Sequence, residues 1–286
     1  MTDEVRRDRR DLRRPSARVR RRRVIAVAVI AVLFAGLLVG AVFLFAPRAQ
    51  EVDVAETPSP SSTPIPTPST TPTPRPDAPL KLTFDRRQFS IDDPASLWVV
   101  VNKLRPLDPK SYAASDLVQT PVPFVNSPVL RKEAADQIVA MFAAYTDETG
   151  NKMQAQSAYR SYDTQVGVYN GWVASLGQAG ADQTSARPGH SEHQTGLAMD
   201  ISSVPNVCAL DQCFAKTDQG KWLAANAYKW GFILRYPNKM TKITGYEFEP
   251  WHYRYVGILL ATEMHTTGIA TLEQFFDLPA APDYAK

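Results

Sequence analysis

Val24 to Ala46 is a run of 23 residues without a charged or strongly polar side chain, and it divides the chain into parts that cannot share one core. A helix rising about 1.5 Å per residue carries such a run across a hydrocarbon layer of roughly 30 Å. The run is therefore predicted to be a transmembrane helix. The alternative is a cleaved leader, but the apolar region of a leader is ordinarily only about 7 to 15 residues, and Pro47-Arg48-Ala49 lacks the small-x-small pattern of a cleavage site. Residues 1–23 carry eleven Arg against Asp3, Glu4, Asp8 and Asp11. That excess beside the run predicts a signal-anchor in the cell membrane, crossing once, with a cytoplasmic N-terminus and everything after Ala46 extracytoplasmic. The basic tail has too little apolar surface to offset the entropy of ordering, so it is expected to be disordered. Its charge is also compatible with anionic lipid headgroups.

Residues 47–79 change to a composition rich in Pro, Thr and Ser, with Thr-Pro and Ser-Pro pairs repeated between Thr57 and Pro76. Extended polyproline II at about 3.1 Å per residue makes the thirty residues from Gln50 to Pro79 a stiff linker reaching roughly 90 Å. The remainder, residues 80–286, is long enough for one domain of about 200 residues with a sizeable core. The overall charge of +3 misleads, because the tail alone carries +7 and the rest of the chain −4. No basic patch with interleaved aromatics occurs in that rest, which argues against nucleic acid as a partner. The two cysteines, Cys208 and Cys213, lie among the turn formers Pro205, Asn206 and Asp211. In an exported domain they are expected to close a loop as a disulfide, two buried thiols being the alternative.

Within the domain, Leu97 to Val101 reads as a short strand. Val129 to Thr146 places Leu130, Ala134, Ile138, Met141, Phe142 and Tyr145 at helical spacing, with Gly150 just beyond. Gln154 to Ala158 suits a strand delivering Tyr159, Arg160 and Ser161, Thr164 to Leu176 a second helix, and Gly177 to Gly189 a loop. Gln219 to Trp230 has helical spacing ended by Gly231, while Phe232 to Tyr236 and Tyr253 to Val256 are strand candidates. The mixture predicts an α+β fold: a small mixed or antiparallel sheet with flanking helices.

Ser191 to Asp200 carries the chemistry. Leu197, Met199 and Ile201 alternate with Ala198 and Asp200, the period of a strand with one apolar face, so Asp200 points away from the core. Gly196 allows the backbone to turn just before the strand, so that His193 folds back towards that carboxylate. Of the four histidines, His252 also has a local companion, Glu249, and Pro250 between them forces a turn or irregular strand that brings both side chains to one side. His193, Asp200 and His252 together supply two imidazoles and a carboxylate, a set suited to catalytic zinc with a fourth position open. Glu249 is then the candidate base, and metal-assisted peptide or amide hydrolysis the reaction class. His190 reads as a loop residue or a support behind the ligands, lining of the pocket being the alternative; His265 has no nameable partner, and Glu192 is either solvated or an acceptor orienting a ligating histidine.

The pattern Ser191-x-His193-x-x-Gly196-x-Ala198-x-Asp200 followed by Glu249-x-x-His252 resembles the VanY-type D-alanyl-D-alanine carboxypeptidases, a zinc metallopeptidase family that also contains D-Ala-D-Ala dipeptidases and phage L-alanyl-D-glutamate endolysins. The resemblance extends from about Val99 to Gly257, with support from Val101-Asn102-Lys103, Ser157-Ala158-Tyr159-Arg160-Ser161, Pro188-Gly189-His190 and Gly231-Phe232-Ile233-Leu234-Arg235-Tyr236-Pro237. It implies zinc on His193, Asp200 and His252, with Glu249 as catalytic base. It also implies Arg160 beside the developing oxyanion, and Ser191 and Gln165 near the terminal carboxylate of the substrate. The expectation is a membrane-tethered zinc D,D-carboxypeptidase acting on peptidoglycan stem peptides. The alternatives are an endopeptidase or D-Ala-D-Ala dipeptidase of the same family, or a non-catalytic zinc-containing wall-binding module, against which an intact Glu249 and Arg160 argue.

Overall fold

The apolar spacing around Ile138 does make a helix, but Val129 to Arg131 is drawn out of it by a strand partner. In the computed structural model, which describes residues 84–285, β1 (Leu117–Gln119) pairs antiparallel with β2 (Val129–Arg131). Helix α1 then runs Lys132–Thr149 and buries Ala134, Ile138, Met141, Phe142 and Tyr145 on one face. It ends where Gly150 takes φ 71 and returns its N–H to the Thr146 carbonyl at 2.8 Å, the left-handed cap that glycine adopts without a Cβ clash. The tail, transmembrane helix and linker expected over 1–79 lie outside the described residues. Among the described residues, no helix is long and apolar enough to cross a membrane.

The chain continues through β3 (Lys152–Ser157), α2 (Tyr162–Thr184), β4 (Ala198–Val204), α3 (Asp218–Asn226), β5 (Phe232–Leu234), α4 (Thr241–Thr244), β6 (His252–Tyr255), α5 (Ile258–Thr267) and α6 (Leu272–Phe275). Four of these strands form an antiparallel sheet in the order β3-β4-β6-β5, so the α+β class is as expected. One apolar cluster joins α1 to the sheet through Met153, Ala155, Met199 and Ile201. A second gathers Trp98, Val100, Ile233 and Val256 with Leu260 of α5 and Leu272 and Phe275 of α6.

Three local expectations are corrected. Leu97 to Val101 is buried but not a strand, because side chains take the groups a neighbouring strand would use. The Leu97 and Val99 carbonyls accept from Arg254, the Val100 carbonyl accepts from Arg105, and Trp98 donates to the Val256 carbonyl. The expected loop after Leu176 is instead helical to Thr184, interrupted at Gly177 by φ 73 and ψ 168. The α3 segment ends at Asn226 and tightens into a 3-10 turn, Ala227–Trp230. Cys208 and Cys213 are disulfide-bonded.

Candidate metal centre

Sheet register decides which side chains meet. On the two central strands Asp200 lies directly opposite His252, and on the other side β3 sets Ser157 opposite Asp200 after an irregularity between Ala155 and Ser157. A bulge of this kind re-aims a strand end, and here it delivers Arg160 to the site. His193 arrives from the 3-10 turn Glu192–Thr195, closed by Gly196 at φ 69. A Cβ on Gly196 would stand 2.6 Å from Leu117 Cδ2 and 3.0 Å from Arg131 Cγ. Both the left-handed conformation and the close packing therefore demand glycine.

The two histidines present opposite nitrogens. His193 Nδ1 lies 2.7 Å from the Ala158 carbonyl, which leaves Nε2 facing Asp200 Oδ2 at 3.4 Å. His252 turns Nδ1 towards Asp200 Oδ1 at 3.3 Å and Glu249 Oε2 at 3.5 Å. One donor atom from each of His193, Asp200 and His252 falls within 4.8 Å of the others. Asp200 Oδ1 is buried without a hydrogen-bond partner, which a cation among the three would supply. Two imidazoles and one carboxylate also match the open donor set of catalytic zinc. The residues present fit the metal.

Electrostatics agree with a charged cluster. Burial alone would raise the Asp200 carboxyl, but the imidazoles of His193 and His252 outweigh it and hold the group well below the usual carboxylate range. Burial lowers His193, against the pull of Asp200. Burial also disfavours the charged form of His252, yet Asp200 and Glu192 against its nitrogens push it up to about 9. Glu249 is pushed up to about 8, first by burial and then by the nearby carboxylates Asp200 and Glu192, with His252 and Arg160 opposing. A carboxyl placed against His252 at the cavity wall can accept a proton and return it.

The centre opens into a cavity of about 770 Å³ lined by Arg160, Ser191, Tyr236, Glu249 and Trp251 among others. Arg160 is fixed from behind: Nη1 donates to Gln165 Oε1 at 2.9 Å and Nη2 to Ser157 Oγ at 3.0 Å. Burial lowers its pKa, partly offset by Asp200 and Glu249. Ser191 borders the cavity. Gln165 does not: it is fully buried, and its amide donates to Ser185 Oγ and the Ala186 carbonyl. The expected substrate contact is thus replaced by a place behind Arg160, reached because residue 165 lies on the inward face of α2. His190 is tied to the Asn102 carbonyl, and His265 stacks on Tyr228.

Sequence reasoning missed a group of buried charges. Glu192, Arg235, Arg254 and Glu273 are fully enclosed and mutually paired. Only the adjacency of Glu192 to His193 hinted at it.

A family model described as VanY, D-alanyl-D-alanine carboxypeptidase, matches residues 127–258, the span that holds all three candidate ligands and Glu249. The Bacillus subtilis (strain 168) protein named "Putative carboxypeptidase YodJ" is 45% identical over 193 residues, 66% of this chain and 70% of that one. The chain belongs to the VanY family of D-alanyl-D-alanine carboxypeptidases. Two solved relatives share the fold. The LdcB LD-carboxypeptidase superposes with a TM-score of 0.60 at 45% identity, covering 64% of this chain and 87% of the other. A variant of the vancomycin-resistance D,D-pentapeptidase VanY from the VanB-type cassette, solved with Zn(II), gives 0.52 at 32% identity, covering 63% and 98%. The protein is accordingly a zinc carboxypeptidase of this VanY family.

Proposed function

We propose that this VanY-family enzyme removes the terminal D-Ala from peptidoglycan stem peptides, with zinc held by His193, Asp200 and His252. The observation that carries the reading is the cross-strand register of Asp200 and His252, with His193 and Glu249 turned onto the same point. Zinc bound there supplies a Lewis acid that polarises the scissile carbonyl and lowers the pKa of water. Glu249 takes the proton of the attacking water and hands it to the leaving amine. Arg160, locked by Gln165 and Ser157, offers a preorganised cation to the developing oxyanion. Ser191, at the cavity wall, is assigned to the substrate's terminal carboxylate, and Gln165 to holding Arg160. The anchor over 24–46 and the linker over 47–79 would set the enzyme outside the membrane, within reach of the cell wall. Recovery of the full chain in the membrane fraction, with the domain open to external protease, tests that location.

A second reading is cleavage between an L- and a D-residue, favoured by the higher identity to LdcB than to VanY. Incubating the full-length enzyme with a pentapeptide ending in D-Ala-D-Ala, and separately with the tetrapeptide ending in one D-Ala, distinguishes them by mass spectrometry. Release of single D-Ala from the pentapeptide supports the first reading. Cleavage of the tetrapeptide alone establishes the second, and release of the dipeptide or cut at an internal bond overturns both.

A further inference from the structure

Behind His252, on the side away from Asp200, lies a chain of buried ions that the reaction does not use directly. Glu192 Oε1 accepts from Arg235 Nε at 2.8 Å and Arg254 Nη1 at 2.9 Å. Its other oxygen, Oε2, faces His252 Nε2 at 3.4 Å. Oε2 and Nε2 are both buried, and neither has any hydrogen-bond partner. Arg235 is gripped from its far side by Glu273, at 2.9 and 2.7 Å, and Asn102 Nδ2 donates to Glu273 Oε1 at 3.0 Å. Arg254 is anchored independently on the Leu97, Val99 and Tyr255 carbonyls. The chain thus runs from α6 and the irregular Asn102 segment to one nitrogen of a metal ligand. Asn102 and Glu273 both lie outside residues 127–258, the part that the family model matches.

Charges buried this deeply gain little net stability over well-packed apolar residues. What distinguishes this set is direction: the one Glu192 oxygen left free is aimed at the imidazole nitrogen that turns away from the metal. A carboxylate in that place fixes the tautomer and orientation of a ligating histidine.

We propose that Glu192 and Glu273 are positioning residues for the zinc ligand His252. Glu192 accepts the Nε2–H, which leaves the Nδ1 lone pair towards Asp200, and Glu273 acts through Arg235 to hold Glu192 in that place. The inference rests on zinc at His193, Asp200 and His252, and not on which peptide bond is cut.

The test measures the zinc dissociation constant of the full-length enzyme by competition with a chromogenic chelator, beside the thermal midpoint of the metal-free protein. Glu192→Gln is expected to weaken zinc about 10- to 100-fold, and Glu273→Gln about 10-fold or less because Arg254 still holds Glu192. The double variant should be weakened by less than the product of the two, since one residue acts through the other. If Glu192→Gln fails to fold, Glu192→Asp, which keeps the charge but withdraws the carboxylate, takes its place with the same expected direction. A lower midpoint with zinc affinity within twofold of the parent in the Glu192 variant and Glu273→Gln would overturn the positioning role. Failure of the parent enzyme to bind zinc would instead overturn the metal assignment beneath it.

Discussion

The apolar face of α1 and the volume behind His252 are both sealed from water, and they are built from opposite materials. Ala134, Ile138 and Met141 fill the first; Glu192, Arg235, Arg254 and Glu273 fill the second, all at 0–1% exposure. The apolar interior is governed by volume. Each side chain contributes through many weak contacts, so a missing methyl costs only its own transfer and cavity terms. The ionic interior is governed by pairing, where removing one member leaves an uncompensated charge on its neighbour. The first can vary residue by residue, whereas the second stands or falls as a unit, and it is the one that touches His252, a candidate metal ligand.

Changes in front of and behind His252 sharpen that comparison. The largest effect is expected at the front: Glu249→Gln should lower kcat by about 100- to 10,000-fold while the zinc content, read by atomic absorption, stays at the parent level. Behind it, Arg235→Met strips Glu192 and Glu273 of a shared partner and should destabilise the fold by about 3–5 kcal/mol in denaturant unfolding. Acid should strike the ionic interior selectively. Burial would raise Glu273, but Arg235 outweighs it and its folded pKa lies below the ordinary value. A lowered folded pKa gives stability that is complete above the unfolded carboxylate pKa of about 4 and is lost as pH falls below it. Glu273→Gln should therefore flatten the decline of the unfolding midpoint below about pH 4, measured against the parent. The smallest effect is expected in the apolar interior, where Ile138→Val should cost about 0.5–1.5 kcal/mol. If Arg235→Met cost no more than that, the contrast between the two interiors would collapse.

Legibility followed the same division. The α1 face could be read because helical period is a local property: Ala134, Ile138, Met141 and Tyr145 announce it without any partner. Its first residues misled because Val129 to Arg131 is claimed by β1, a contact that no local window contains. Leu97 to Val101 was apolar enough for a strand, yet the guanidinium of Arg254, more than 150 residues later in the chain, takes its carbonyls. At the site, the meeting of His193, Asp200, Glu249 and His252 was legible because their residue types suit a metal centre and Gly196 and Pro250 restrict the backbone. Gln165 was misplaced because a polar side chain on a helix has no sequence mark that separates a pocket wall from the support behind it.

By itself, the sequence determined the donor types and the two turns that could bring them round, because ligand chemistry and backbone sterics are properties of single residues and near neighbours. Only the tertiary structure decided that Asp200 and His252 are cross-strand partners, that the histidines offer opposite nitrogens, and that Glu192 faces inward to two arginines. Those facts depend on strand register and on charges brought together from distant positions, and a buried ion pair has no periodicity through which a sequence could declare it.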